Sequence, residues 1–163
     1  MPVTTTAPME RKYLMHYVDA SFGGNTVNYV ILGEDLEEYN EELNPDIEQK
    51  KNILGENRVL HKGYEVSSDV EPYYAYEGDP LWDKLSEIAM ERKTGPDCVT
   101  TKVDVLVNAS GTVVWAYREK VYLIPKSIGG DTSGVQIPFT VYNAGERVKG
   151  SWNKSTKVFT PNA

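Results

Sequence analysis

The sequence predicts a mainly β domain, a β-sandwich or barrel of two packed sheets with one flanking α-helix. Three observations carry this. Period-two alternation of apolar and polar residues runs through Val99–Val107, Val113–Leu123 and Val135–Val141. Turn-forming clusters separate those runs at Asn108–Gly111, Gly129–Gly134 and Asn143–Gly145. A single stretch, from about residue 79 to 94, has helical spacing. Many strands interrupted by one helix leave a sandwich or barrel as the architecture.

The elements follow in order. Residues 1–10 read as a flexible arm, because Met1 to Pro8 is rich in Thr and Pro and lacks an apolar period. Residues 11–153 form one domain and 154–163 a C-terminal tail. Lys12–Asp19 alternates Tyr13, Met15 and Tyr17 against Leu14, His16 and Val18, a short strand with apolar groups on both faces. A turn at Phe22–Asn25 leads to a second strand at Asn28–Leu32. Leu36–Leu43 is a candidate third strand, with Leu36 and either Tyr39 or Leu43 inward. Asn44–Asn57 has weak periodicity and reads as a long loop with at most one helical turn. Strand character resumes from Gly63 to Asp69.

Asp79 is a good N-cap, Pro80 suits the first helical position, and Gly95-Pro96 stops the chain. Between them Leu81, Trp82, Leu85, Ile88 and Ala89 recur on one face, which predicts an amphipathic helix packed on a sheet. In the next strand Val99, Thr101, Val103, Val105 and Val107 are expected inward, opposite Thr100, Lys102, Asp104 and Leu106. After the hairpin turn at Asn108–Gly111, Val113, Trp115, Tyr117, Val121 and Leu123 continue the inward set. Val135, Ile137, Phe139 and Val141 then alternate with Gln136, Pro138, Thr140 and Tyr142. Pro138 lacks an amide donor, which places its strand at a sheet edge or a bulge. Arg147–Trp152 is the closing strand.

Composition bounds the function. The 163 residues are 40% hydrophobic and 25% charged with one cysteine, enough for a single cored domain without a disulfide framework. The start has no basic segment followed by an apolar core, and no apolar run nears the ~18 residues of a membrane span. The expectation is a protein made and kept in a cytoplasm until it assembles. Chemistry-bearing motifs are scarce. His16 and His61 lack metal-ligand spacing, and Cys98 opens a strand as a small hydrophobe would. Gly129–Gly134 lacks a Walker lysine and precedes a strand, so no helix terminus is there to hold phosphate. Tyr73, Tyr74 and Tyr76 read as a rim packing the entry to the helix. Catalysis, cofactors and metals are not expected.

Charge is distributed unevenly. Residues 1–81 hold 16 acidic and 6 basic side chains, a balance of −10, whereas residues 82–163 hold 8 and 11, a balance of +3. Eight carboxylates and no cation lie between Glu34 and Glu48, and four cations and no acid between Arg147 and Lys157. In a self-stacking protein such patches steer association and set register.

Four segments together resemble bacteriophage major tail tube proteins, especially those of phages and prophages of Gram-positive bacteria. They are KYLMHYVDASFGG (12–24), ELNPDIEQKKNILGE (42–56), GYEVSSDVEPYYAYEGDPLWDKLSEIAMERKTGPDC (63–98) and KSIGGDTSGVQIPFTVYNAGERVKGSW (126–152). The resemblance covers most of the chain and implies a tail-tube fold. It also implies six subunits to a ring, rings stacked head-to-tail, and a lumen that holds the tape-measure protein and then passes DNA. Tail terminator and initiator proteins are the further partners, and the virion tail is the location. Candidate subunit contacts are Glu37, Glu38, Glu41, Glu42, Asn44, Asp46, Lys50, Lys51, Pro138, Arg147, Lys149 and Lys154. Two alternatives stand beside it: a monomeric sandwich that binds carbohydrate or protein through the tyrosines and Trp152, and the inner tube of a contractile or secretion-type particle.

Overall fold

The computed structural model describes residues 7–162, so most of the expected N-terminal arm and Ala163 of the tail lie outside the described residues. Among the described residues the chain is mainly β with one α-helix. Its strands are β1 (Leu14–Asp19), β2 (Tyr29–Leu32), β3 (Pro45–Lys51), β4 (Asn57–Tyr64), β5 (Ser67–Val70), β6 (Val99–Val107), β7 (Val113–Pro125), β8 (Gly129–Asp131), β9 (Gly134–Gln136), β10 (Phe139–Asn143), β11 (Val148–Asn153) and β12 (Val158–Pro161). The helix α1 spans Pro80–Glu91. One antiparallel sheet of eight strands runs β12-β11-β7-β6-β1-β2, with β10 paired to β7 and β5 to β10. The long β7 serves β11 with its first half and β10 with its second.

This sheet is covered on both faces, and register shows how. Val105 lies opposite Ala116 and Met15, and Val103 opposite Tyr17. These residues therefore share a face, where Val103, Val105, Val107, Ala116, Tyr17 and Tyr29 are buried with Trp152 and Phe159. The Trp152 ring lies 4.6 Å from that of Tyr17 and 5.4 Å from that of Tyr29. Residues from both ends of the strand order thus meet, because the sheet curls into a half-barrel, as right-handed twist favours. Gly150 permits that closure: a Cβ there would stand 2.3 Å from the Thr160 carbonyl and 2.5 Å from the Phe159 ring. The opposite face buries Val18, Leu32, Val70, Val121, Leu123, Phe139 and Val141 beneath Leu81 and Leu85 of α1. Each fully buried leucine of that helix contributes about 1.5–3 kcal/mol.

Several expectations are corrected. Asn44–Asn57 is no loop: β3 and β4 form a hairpin through a turn in which Asn52 Oδ1 accepts from the Leu54 and Glu56 amides and Gly55 takes φ +78°. The alternation is weak because neither face is covered. Leu36–Leu43 forms no strand. Leu36 is half-buried, Tyr39 buried and Leu43 exposed, and only Glu42 makes a bridge, to Ser67. The tail from 154 contains β12, paired with β11 and anchored by buried Phe159. Helix α1 stops at Glu91, where Arg92 turns left-handed at φ +53° and its amide donates to the Ile88 carbonyl. Trp115 and Tyr117 are only half-buried and Val135 is exposed, whereas Ala116 is buried. The inward sets of β6 and β7 do not coincide, since Val105 pairs with Ala116.

Other local expectations hold. Asp79 caps α1 by accepting from the Leu81 amide at 2.9 Å. Tyr73 donates to Asp79 Oδ2 at 2.6 Å and packs edge-on against Phe139 at 5.4 Å, so it fastens the helix entry. Burial, with the neighbouring Asp79 carboxylate, pushes the Tyr73 phenol well above its ordinary range.

Candidate assembly surfaces

The β3–β4 hairpin is a separate two-stranded sheet. A hairpin of seven- and eight-residue strands is about 25 Å long at ~3.3 Å per residue. Ile47, Val59, Leu60 and Tyr64 are about half exposed or more, and at the tip Ile53 is 102% and Leu54 76% exposed. Isolated hairpins are marginal in water, and this one is held at its root. Glu42 and Ser67 exchange two backbone hydrogen bonds of 2.8 and 3.0 Å. Asn44, left-handed at φ +44°, donates from Nδ2 to the carbonyls of Glu65 (2.9 Å) and Glu42 (3.2 Å). Along the strands Glu48 bridges Lys50 (3.0 Å) and Lys62 (3.1 Å), surface pairs that solvent and salt screen.

Beside that root lies a charged cluster buried in the sheet face that carries α1. Lys102 Nζ, with a fully buried side chain, contacts the Glu41 carboxylate and lies 3.7 Å from Asp104 Oδ2. Asp104 also receives His16 Nδ1 at 2.6 Å and Arg147 Nη2 at 3.1 Å. Arg11 Nη2 meets His16 Nε2 at 3.1 Å and donates to the Tyr39 carbonyl at 3.1 Å. A guanidinium only donates, so Nε2 accepts, and the proton facing Asp104 belongs to Nδ1. Arg147 Nη1 reaches Glu119 Oε1 at 4.0 Å, and the Arg147 guanidinium stacks on Tyr117 at 4.8 Å.

Protonation follows from this geometry. Burial alone would raise Asp104, but the His16 hydrogen bond and the Lys102 charge outweigh it and hold the carboxyl well below its usual range. Burial opposes the Lys102 charge too, yet Asp104, Tyr39 and Glu41 together keep its ammonium above the ordinary lysine value. Glu41 moves the other way: burial first, then the neighbouring Asp104 charge, raise its carboxyl despite Lys102. The Lys102 charge therefore chiefly compensates Asp104.

The twelve predicted contact residues divide into three groups. Glu41 and Arg147 are engaged inside the protomer, both reaching the Lys102–Asp104 pair, so the acidic run and the basic cluster first meet within one chain. Asn44 holds the hairpin root, and Pro138 is buried between β9 and β10, where its carbonyl accepts the Lys126 amide at 2.9 Å. Glu37, Glu38, Glu42, Asp46, Lys50, Lys51, Lys149 and Lys154 are exposed. The sequence reasoning missed His16, Lys102, Asp104 and Glu119, having placed Lys102 and Asp104 on the face away from the core. A signal was present: two opposite charges at alternate positions of a Val-rich strand flanked by other long strands must be paired if the strand is central.

Other candidates resolve simply. Cys98 is buried and its thiol donates to the Lys93 carbonyl at 3.6 Å. His61 is exposed and lies edge-on to Tyr64. Gly129–Gly134 forms the small β8–β9 hairpin. Trp152 is buried in the core and so presents no platform to a sugar. Among the described residues no cluster of His, Cys, Asp or Glu is placed to hold a metal, and no helix is long and apolar enough to cross a membrane.

No protein-family model matches the chain, and no curated protein matches it. Solved structures do. A chain of an extracellular contractile injection system, described as the PVC sheath/tube terminator in its extended state, is 10% identical, covers 91% of this chain and all of itself, and superposes with a TM-score of 0.56. The anti-feeding prophage cap, a tube-terminating cap, is 10% identical over 93% of this chain and 96% of its own, with a TM-score of 0.55. A chain of the six-fold symmetrised anti-feeding prophage baseplate is 13% identical over 90% and 97%, with a TM-score of 0.50. At these identities the likeness is one of fold: the chain has the architecture found in phage-tail-like contractile particles.

Proposed function

We propose that this chain is a structural, non-enzymatic subunit of a phage-tail-like particle and forms rings at or along its tube. One observation carries the reading. The fold has a complete core, yet it leaves a hairpin with solvent on both faces, and natural proteins seldom leave such a strand pair unpartnered. The branched sheet ends in β2, β12 and β5, each paired with one strand only, which suits neighbours that extend one another around a ring. The exposed acids Glu37, Glu38 and Glu42 and the cations Lys149 and Lys154 remain for contacts between copies. Carboxylates lining a lumen would let DNA slide past, because like charges do not adhere. Partners on this reading are further copies, a tape-measure protein, and terminator or initiator proteins, and the location is the particle's tail.

Two roles fit, and the fold likenesses favour the second. A major tube protein stacks ring on ring, whereas a terminator or cap closes the tube with a ring that does not propagate. Cryo-electron microscopy of the purified full chain at rising concentration decides: stacked tubes identify the first, isolated rings the second. A strictly monomeric chain at every concentration, which also fails to bind tube ends, overturns the proposal.

A further inference from the structure

We infer that the apolar tip of the β3–β4 hairpin seats in the tyrosine-lined groove beside β2 of a second copy. The inference rests on the assembly reading above and names its contact. Ile53 and Leu54 stand at the end of the hairpin with almost their whole side chains in water. Elsewhere on the molecule a groove of about 290 Å³ is lined by Val30, Ile31, Leu36, Pro72, Tyr74 and Tyr76. It lies against β2, a terminal strand of the main sheet. Burying two aliphatic side chains in such a groove is the usual form of an interface hot spot.

Charge selects this groove over the other apolar one. The outer half of the hairpin carries Lys50, Lys51 and Arg58 against Glu56. The tyrosine groove is edged by Glu34 and Asp35 and adjoins a cleft bearing Glu37, Glu38, Glu42, Asp69 and Glu71. The groove under the end of α1, lined by Ile88, Met90, Ile124 and Ile128, is instead edged by Arg92 and by Lys93 and Lys126, whose neighbouring carboxylates are already paired with them, so it offers the hairpin no free acidic rim. The contact joins two different surfaces, so it is head-to-tail and propagates around a ring or along a stack.

The test uses the full chain. Leu54→Cys protein is mixed with separately tagged Ile31→Cys protein and oxidised; Cys98 is buried and stays out of the reaction. A mixed disulfide between positions 54 and 31, formed only when both variants are present, is the expected result. Ile53→Asp with Leu54→Asp should weaken self-association at least about tenfold while leaving the monomer's unfolding midpoint unchanged. If the wild type forms rings but the 54–31 disulfide is absent and the double Asp variant assembles normally, this inference falls and the assembly reading stands. If the wild type never self-associates, this inference falls, and the assembly reading falls with it when the chain also fails to bind tube ends.

Discussion

The buried cluster and the projecting hairpin hold the same residue types and treat them in opposite ways. In the cluster Lys102, Asp104 and His16 lie on strands covered from both sides, and each finds its partner inside the protomer. On the hairpin Lys51 and Arg58 stand in water, Lys50 meets only Glu48 at the surface, and Ile53 and Leu54 have no cover within the protomer. The cluster ties three separate segments to the sheet: the turn at Arg11–Tyr13, the 33–44 segment through Glu41 and Tyr39, and the approach to β11 through Arg147. The first region is closed and sets the shape of one subunit. The second is open, and on the proposed reading another copy finishes it.

The largest effect should come from breaking the closed region. Lys102→Met removes the one fully buried cation of the cluster, leaving half-buried Glu41 without its partner and Asp104 with only Arg147 and His16, which costs about 3–5 kcal/mol in chemical denaturation. Adding Asp104→Asn and Glu41→Gln should recover most of that loss, because the damage lies in the uncompensated charge. The pH dependence has a definite sign. Asp104 is depressed when folded, so it contributes stability above its ordinary value of 3.8 that is lost as pH falls further. Glu41 is raised above 4.5, so its ionisation costs stability as pH climbs from that value. Asp104→Asn should therefore lower stability near neutrality, with the deficit shrinking below pH 3.8; Glu41→Gln should flatten the fall above pH 4.5. A Lys102→Met protein as stable as the wild type would remove the cluster from the account of the fold.

Phe159→Ala ranks next, at about 3 kcal/mol, because β12 is part of the aromatic core and not a loose tail. No change on that substitution, with rapid hydrogen exchange from 158 to 161, would restore the tail. Asp79→Ala should cost about 1 kcal/mol through the lost N-cap, a little more with the Tyr73 hydroxyl left behind. The smallest monomer effect is expected on the open side. Lys51→Glu should shift monomer stability by less than about 0.5 kcal/mol, yet weaken assembly in a manner that salt mimics. Equal damage to folding and to assembly would erase the contrast between the two regions.

Legibility followed the same line. The helix was readable from its one covered face, and the β6–β7 hairpin and β11 from alternation bounded by turns with unambiguous chemistry such as Asn108–Gly111. The β3–β4 hairpin was not, since strands with no covered face leave no alternation to read. Glu41 and Arg147 were placed in a contact between subunits because their charges were visible in sequence, whereas Lys102, which draws Glu41 inward, sat in a run of valines.

The sequence by itself determined the mainly β class, the capped helix and turns such as Asn108–Gly111. Those depend on local geometry and on neighbours within a few residues. Tertiary structure alone decided which carboxylates are paired internally, that β12 completes the aromatic core, and that Ile53 and Leu54 are left in water. Each of these turns on residues tens of positions apart: Glu41 and Lys102, Tyr17 and Trp152. Burial and charge pairing are properties of the assembled surface, and no window along the chain contains both partners.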